Sequence, residues 1–338
     1  MKKIKVEDAV GMALCHDVTA MRDGFKGAAF QRGHVIAPED VPALLDLGKR
    51  TVFIWEPEAG EIHEEDAALR LAAMAPVEGA HYEGPGEGKM VLRADMRGMF
   101  RVDTALLREV NAIGDITISA LPDHYPVETG ARVASMRIVP LTTQETQIER
   151  AEALCAGKRL LALLPYQTKK AGIIITGSEI YTGRIRDKFE PVARKKLENY
   201  PCEILGVRIC DDEPAMLRDA AEEFLAAGVD LLIYSGGMSV DPDDLTPSAI
   251  RALGAEVVSH GVPSQPGNMT LVAYLGNVAI LGVPGAAISV PTTIFDVLLP
   301  QIFAGVKLTK EDLIRLGDGG LCQQCKPCHF PNCTFGRY

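Results

Sequence analysis

A short segment near residue 240 contains residue types that could bind an anion and a metal ion together. The apolar residues 231–233 are followed by Ser235, Gly236 and Gly237, and then by the acids of the sequence SVDPDD. Glycines at the end of a strand let the backbone turn sharply and bring N–H groups close to an anion. Magnesium prefers one or two carboxylates together with phosphate oxygens. The segment therefore predicts either a phosphate and magnesium site or a solvated turn.

Three loops that follow predicted strands share this construction of glycines and small residues. They lie at residues 176–179, 235–239 and 282–287, and residues 266–267 form a fourth candidate. Backbone N–H groups and hydroxyls in such loops hold phosphate oxygens, and open α/β sheets bind ligands beyond the carboxyl ends of strands. The pattern favours a phosphorylated ligand. The candidate ligand residues are Thr176, Gly177, Ser178, Ser235, Gly236, Gly237, Met238, Ser239, Pro266, Gly267, Pro284 and Gly285.

The C-terminal segment is a second candidate site. Cys322, Cys325, Cys328, His329 and Cys333 lie within twelve positions. Two cysteines separated by two residues can bind one ion from a single turn, and in a reducing compartment such crowding indicates metal or redox chemistry rather than disulfides. Four thiolates suit tetrahedral zinc, and the spacing also fits an iron–sulfur cluster. The alternative is a disordered tail with incidental cysteines.

The elements that must position these residues alternate regularly from about residue 170. Strands are predicted at 172–176, 203–209, 230–234, 256–258 and 278–281, and helices at 189–200 and 214–227. This alternation predicts an α/β fold with a doubly wound, mostly parallel, three-layer sheet domain, preceded by smaller α+β and β-rich units. The predicted domains are residues 1–75 (α+β), 76–165 (β-rich with a connecting helix), 166–305 (α/β) and 306–338 (the cysteine-rich tail).

Composition and charge argue against several classes of protein. A formal net charge of −10 over 338 residues argues against a general binder of nucleic acids or anionic membranes. Residues 269–295 carry no charge, but glycines and prolines interrupt them, which predicts buried strands and turns rather than a membrane span. The first residues lack the apolar stretch of a signal peptide, so we expect a cytoplasmic protein.

Five spaced motifs resemble the molybdopterin-binding domain family, which includes the molybdopterin molybdenumtransferases and the molybdopterin adenylyltransferases. The motifs are TGSEI at 176–180, DD at 211–212, SGGMSVDPDD at 235–244, QPG at 265–267 and GVPG at 282–285. Together they span roughly residues 170–303. The first unit is similar, more loosely, to a segment of the molybdenumtransferases. The HDVT start and the cysteine-rich end resemble a narrower group of molybdopterin-binding proteins from anaerobes.

The resemblance implies roles for the matching loop residues. Gly236, Gly237 and Ser239 would hold the terminal phosphate or the pterin, with Thr176 and Gly285 on neighbouring loops. These assignments extend the phosphate-binding interpretation to a specific ligand class.

The resemblance also implies catalytic acids. Glu179 matches an acid near the dithiolene and metal end, Asp244 would bind magnesium or molybdate-linked water, and Asp187 lies near the acid that follows the first loop. The alternative for Asp187 is a cap on the helix that follows, and for Glu179 a solvated loop acid. Asp211 or Asp212 is predicted to cap the next helix.

Several positions depart from the family pattern. Asp241 adds negative charge beside the phosphate site, Ala286 and Ala287 replace an amide and a proline, and Asn268 stands where a basic residue is usual. Ala286, Ala287 and Asn268 remove polar ligands, so these departures favour pterin binding over metal insertion.

The function that the resemblance implies is molybdenum or tungsten cofactor biosynthesis. A molybdenumtransferase-like protein would aid metal insertion into adenylylated molybdopterin, with release of AMP. The implied ligands and partners are molybdopterin or its adenylylated form, Mg²⁺, and molybdate or tungstate. Zn²⁺ or an iron–sulfur cluster is expected at the tail cysteines, whose thiols could also meet the metal or sulfur of the pterin.

Two other functions remain open at this point. One is a non-catalytic carrier or sensor that delivers the cofactor to a molybdenum or tungsten oxidoreductase. The other is a nucleotide-handling hydrolase on the same fold, since fold does not imply function. Relatives of this fold self-associate, so a homo-oligomer is expected, with no nucleic-acid or membrane partner.

Overall fold

The protein divides into two compact units. The computed structural model describes residues 1–22, 25–54, 56, 58–239, 241–242 and 244–337. Unit 1 comprises Met1–Asp95, Val102–Leu121 and Thr129–Ala162, and unit 2 comprises Met96–Arg101, Pro122–Glu128 and Leu163–Tyr338. The division into four domains stays a prediction.

The first half of the chain contains many short strands and few helices, as the sequence predicts for the units before the sheet domain. In chain order the elements are β1 (Lys2–Lys5), β2 (Val18–Arg22), β3 (Phe25–Phe30), α1 (Asp40–Asp46), β4 (Thr51–Ile54), β5 (Glu61–His63), α2 (Glu64–Met74), β6 (Ala80–Gly86), β7 (Lys89–Ala94), β8 (Gly98–Val102), α3 (Thr104–Asn111), β9 (Ile116–Ala120), β10 (Tyr125–Val127), β11 (Arg132–Ile138), β12 (Thr142–Gln144), α4 (Glu145–Cys155) and β13 (Leu161–Pro165). The largest sheet of unit 1 that the structure describes is antiparallel, in the order β6-β7-β11-β9.

The second half contains the alternating elements. They are β14 (Lys169–Thr176), α5 (Ser178–Tyr181), α6 (Phe189–Leu197), β15 (Cys202–Cys210), α7 (Pro214–Ala226), β16 (Leu231–Ser235), α8 (Thr246–Ala252), β17 (Glu256–His260), β18 (Leu271–Leu275), β19 (Val278–Val283), α9 (Ala286–Ser289), α10 (Ile294–Phe303) and α11 (Lys310–Arg315). Throughout the described ranges, no helix is both long and apolar enough to cross a membrane.

Unit 2 is built on a six-stranded sheet in the order β15-β14-β16-β19-β18-β17. The first four strands run parallel, β18 is antiparallel to β19, and β17 is antiparallel to β18. The helices connect the parallel strands, because parallel neighbours need a long crossover. The predicted α/β class with a mostly parallel sheet is confirmed.

Two apolar cores, one on each face of this sheet, give unit 2 its three layers. Ile173 and Ile175 of β14 pack with residues of α6 and α10, whereas Ile174 packs with residues of α7 and α8. All five residues of β16 are buried, because helices cover both faces. This buried central strand fixes the position of the loop that follows Ser235.

Candidate functional site

The carboxyl ends of the four parallel strands meet at one edge of the unit 2 sheet. Thr176 at the end of β14 pairs with Cys210 of β15, and Ser235 at the end of β16 pairs with Val283 of β19. Since β18 runs in the opposite direction, the turn at residues 266–267 before it reaches the same edge. The loops after β14 and β16 flank the point where strand order reverses, which is where open α/β sheets bind ligands. The structure therefore places the four predicted loops at the same edge of the sheet.

The loops after β14 and β16 touch through their backbones. Gly236 has φ +97°, and a Cβ there would overlap the carbonyl oxygen of Thr176. Gly237 has φ +55°, and a Cβ there would lie 2.8 Å from Oγ1 of Thr246. The hydroxyl of Thr246 donates a hydrogen bond to the carbonyl of Gly236 at 2.9 Å. Both glycines are therefore required by close approach and by left-handed backbone conformation.

Two adjacent acids hold the loop after β14 in place. Asp212 accepts hydrogen bonds from Thr176 Oγ1 at 2.6 Å and from the backbone N–H of Ser178 at 2.9 Å. Asp211 accepts one from Ser178 Oγ at 2.5 Å. The Ser178 hydroxyl, followed by the N–H of Asp212, lowers the pKa of Asp211 below its usual range.

The prediction that Asp211 or Asp212 caps the following helix is wrong. The N-cap of α7 is Glu213, whose side chain makes no capping hydrogen bond. The DD motif instead joins the ends of β14 and β15, a contact that local capping rules do not reveal.

Asp187 has the hydrogen bonds of a helix cap. Its carboxylate oxygens accept from the backbone N–H groups of Phe189 at 2.9 Å and Glu190 at 2.8 Å, in the first turn of α6. These contacts favour the capping alternative over the catalytic role that the resemblance implies, because both oxygens are already engaged.

We expect substitution of Asp187 to separate capping from catalysis. Asp187→Asn keeps one of the two acceptor oxygens and should destabilise unit 2 less than Asp187→Ala, which should cost about 1 kcal/mol. Urea denaturation measures both effects. Loss of the implied AMP release in Asp187→Asn, with unchanged stability, would instead establish a catalytic carboxylate.

The other two predicted acids are accessible. Glu179 is exposed in α5, and its carboxylate lies near Gly177, where an added Cβ would be 3.2 Å from either oxygen. Asp244 is partly buried, and its Oδ2 accepts from the N–H of Asp241 at 3.2 Å. Asp243 lies outside the described residues.

Within the described ranges, no three His, Cys, Asp or Glu side chains are grouped to hold a metal ion. Magnesium is often bound by only one or two carboxylates, with phosphate oxygens and water completing its shell. A site on Asp244 would therefore need the substrate phosphates as further ligands.

The side chain of Met238 is unsuited to ligand binding. It is 4% exposed, belongs to the core on the α7 and α8 face, and packs over Gly282, where a Cβ would overlap its thioether. Only its backbone remains a candidate ligand. Ser239, the next residue, is exposed.

The remaining two loops differ in how tightly they are packed. Gly267 has φ +107°, and a Cβ there would lie 2.7 Å from Ile294 Cγ2, at the start of α10. Ile294 N–H also donates to the carbonyl of Pro266 at 3.2 Å. At Gly285, a Cβ would meet nothing within 4 Å. Pro284 is partly buried beside this open position.

A cavity of about 510 Å³ borders the loop of residues 265–267, and its wall includes Ser264, Gln265 and Asn268. Ser264 is 3% exposed, and its hydroxyl has no hydrogen-bond partner among the described residues. A buried polar group without a partner is a candidate ligand contact. Sequence reasoning missed Ser264, because a single serine before a Gln-Pro-Gly turn carries no distinctive signal.

The cysteine-rich tail is folded onto unit 2. Phe335 is 2% exposed in the same core as α10, and Cys322, Phe330 and Cys333 pack against that core. The alternative of a disordered tail is therefore wrong. The four tail cysteines are free thiols, with Cys325 and Cys328 exposed.

Comparison with known families identifies the region that contains the four loops. Residues 172–304 match the profile of a family described as "Probable molybdopterin binding domain". Residues 3–56 match a second family, described only as a domain of unknown function. The resemblance predicted from the five motifs is thereby confirmed for the sheet domain.

Individual relatives cover only parts of the chain. A molybdopterin molybdenumtransferase of Synechococcus elongatus is 27% identical over 176 residues, or 49% of this chain and 44% of that protein. A CinA-like protein of Mycobacterium sp. (strain JLS) is 42% identical over 91 residues, or 26% of this chain and 21% of that protein. The chain thus spans less than half the length of either curated relative. The crystal structure of the molybdopterin biosynthesis enzyme MoaB from Thermus thermophilus has 22% identity and a TM-score of 0.34, covering 40% of this chain and 92% of that one.

Proposed function

We propose that residues 172–304, the stretch matched by the molybdopterin-binding family, bind molybdopterin or its adenylylated form at the edge where the four loops converge. We further propose that the protein aids insertion of molybdenum or tungsten with release of AMP. The observation that supports this most is the convergence itself. The loops after β14 and β16, which both need glycine, meet where the strand order of the sheet reverses. The loops before β18 and after β19 reach the same edge.

The phosphate would be bound mainly by backbone groups. Gly236 and Gly237 bring main-chain atoms to the edge without side chains, and the exposed hydroxyl of Ser239 follows them. Arg184 and Arg186, both exposed in the loop after α5, are the cations of that loop nearest in sequence to the site. Backbone N–H groups together with arginines are a common way to bind phosphate.

The charge of this edge supports a divalent cation in the bound state. Asp211, Asp241 and Asp244 lie in loops of this edge and Glu179 in the short helix α5, and a phosphate placed beside them would be repelled. A magnesium ion bound by Asp244 and phosphate oxygens would offset that repulsion. The ion would also neutralise charge as the phosphoanhydride bond breaks, which consumes one water and releases AMP.

One set of observations favours a carrier that binds the pterin without turnover. Asp187 is engaged as a helix cap, and the loop after β19 continues with Ala286 and Ala287 rather than with polar ligands. Backbone N–H groups can still bind the pterin when few side-chain polar groups are free. Fewer side chains then remain to promote AMP release. Under this alternative the cofactor would be delivered to a molybdenum or tungsten oxidoreductase.

Two assays on the full chain test the proposal. Binding is measured by anaerobic titration of molybdopterin, and turnover by AMP release from adenylylated molybdopterin when molybdate or tungstate is added with Mg²⁺. We expect binding and AMP release together. Binding without AMP release would replace the transferase by the carrier, and absence of binding to either pterin form would overturn the proposal. A homo-oligomer stays a prediction.

A further inference from the structure

The four tail cysteines surround one small cavity in unit 2. Cys322, Cys325, Cys328 and Cys333 all line it, with Phe330 and Phe335 forming an apolar wall. The two rings meet edge to face with centroids 6.4 Å apart. Two of these free thiols, Cys325 and Cys328, are exposed. An exposed thiol contributes little to packing, so packing alone does not explain four thiols around one partly apolar cavity.

We propose that this cavity binds one metal ion through the four thiolates, and that the bound ion holds the tail against the loop of residues 265–267. Zinc is the chemical example of such an ion, since it takes four sulfur ligands in tetrahedral geometry. This inference goes beyond the pterin-binding proposal and does not depend on it.

The first Cys-x-x-Cys turn is tight and is closed by a hydrogen bond to sulfur. Gln324 has φ +53°. Its backbone N–H donates to Sγ of Cys322 at 3.4 Å. A tight turn of this kind lets two cysteines bind one ion from a single loop.

The cavity between the four thiols is small. Its volume is about 30 Å³, whereas one water-sized species needs roughly 10–15 Å³. One ion fits this space, and iron and sulfide analysis distinguishes it from a cluster. The described side chains include no group of three placed to ligate one ion together, so ligation requires the exposed Cys325 and Cys328 to turn into the cavity that they border.

The tail is joined to the predicted pterin site by backbone hydrogen bonds. Gln265 N–H donates to the carbonyl of Gly320, and Cys322 N–H donates to the carbonyl of Gln265, each at 2.8 Å. Cys328 Sγ lies 3.2 Å from Oγ1 of Thr292, just before α10. An ion that fixes the cysteines would therefore also hold the Gln-Pro-Gly turn and the start of α10.

A partly buried cation, Arg337, lies near the thiol of Cys333. Arg337 stacks on Tyr125 at 4.2 Å and donates to the carbonyl of Pro331 at 2.9 Å. Its Nε is buried without a hydrogen-bond partner among the described residues. The guanidinium would offset part of the negative charge of a tetrathiolate site.

Cobalt titration of the full chain tests the site. The protein is purified anaerobically, stripped of metal with a chelator under reduction, and titrated with Co²⁺, whose thiolate complexes absorb by charge transfer. We expect one Co²⁺ per chain, displaced by one Zn²⁺. Cys325→Ser and Cys328→Ser should each weaken binding at least tenfold, and both positions are exposed, so folding is spared. Cys202→Ser, in β15 of the same unit, is the matched control and should leave binding unchanged.

Hydrogen exchange tests, separately from metal ligation, whether the bound ion holds the tail against residues 265–267. Exchange in peptides covering residues 263–268 should slow several-fold when Zn²⁺ is added to the full chain, but not to Cys325→Ser. Metal binding with unchanged exchange in these peptides would overturn the proposal that the ion holds the tail against this loop. Absence of a thiolate charge-transfer band, binding unaffected by either tail variant, or iron and sulfide in cluster stoichiometry would overturn the mononuclear site. None of these readouts involves pterin, so they remain distinct from failure of the proposed function.

Discussion

Gly236→Ala is expected to destabilise unit 2 by about 2–5 kcal/mol. The residue has φ +97°, a conformation that costs a side-chain-bearing residue about 1–2 kcal/mol. The new Cβ would also overlap the carbonyl oxygen of Thr176, and overpacking of this kind typically costs a further 1–3 kcal/mol or so. Urea denaturation measures the loss, and hydrogen exchange in β14 and β16 locates it. Because the two loops separate, pterin binding should weaken as well.

Gly86→Ala is the matched control for this substitution. Gly86 lies in β6 of unit 1, its φ is outside the left-handed region, and an added Cβ would meet nothing within 4 Å. The free energy of unfolding of the Gly86→Ala protein should differ from that of the unsubstituted protein by less than about 0.5 kcal/mol. Equal effects at the two glycines would contradict the close approach between Gly236 and Thr176 as the cause.

Asp244→Asn is expected to lower AMP release about 100-fold or more. Mutation of groups that merely support metal ligands typically costs roughly 10–100-fold, and a direct ligand should cost at least as much. Asparagine keeps the oxygen that accepts from the N–H of Asp241, so the turn should persist while the charge that attracts Mg²⁺ is lost. The measurement is AMP release as a function of Mg²⁺ concentration, with the variant requiring more of the ion.

Asp241→Asn tests whether any loss of charge has the same effect. Asp241 is exposed on the same turn and adds negative charge near the proposed phosphate site. Removing that charge should leave AMP release intact and strengthen pterin binding slightly. If both variants lost activity equally, Asp244 would not be the specific ligand. If Asp244→Asn showed an unchanged Mg²⁺ dependence, magnesium would not be bound there.

Sequence patterns predicted the bounds of two elements of the sheet domain to within one residue. The helix predicted at 214–227 is Pro214–Ala226, and the strand predicted at 203–209 is Cys202–Cys210. Helix α10 was not predicted, because almost all of its residues are buried and it contains Pro300. A segment that is buried almost all around, with Asp296 as its one charged residue, lacks the periodic contrast that identifies a helix.

Local sequence is enough to identify the residue types at the ends of the parallel strands, and with them the edge at which we propose that a ligand binds. The resemblance to a molybdopterin-binding family is also evident from the sequence, because short motifs and strand periodicity depend on neighbouring residues. The contacts that individual side chains make depend instead on the three-dimensional fold. Asp212 reaches Thr176 from 36 positions away, and Met238 turns into the core. The tail reaches Gln265 through β-type backbone hydrogen bonds. Such contacts join residues that are distant in the chain, so they follow from packing across the sheet and from no local pattern.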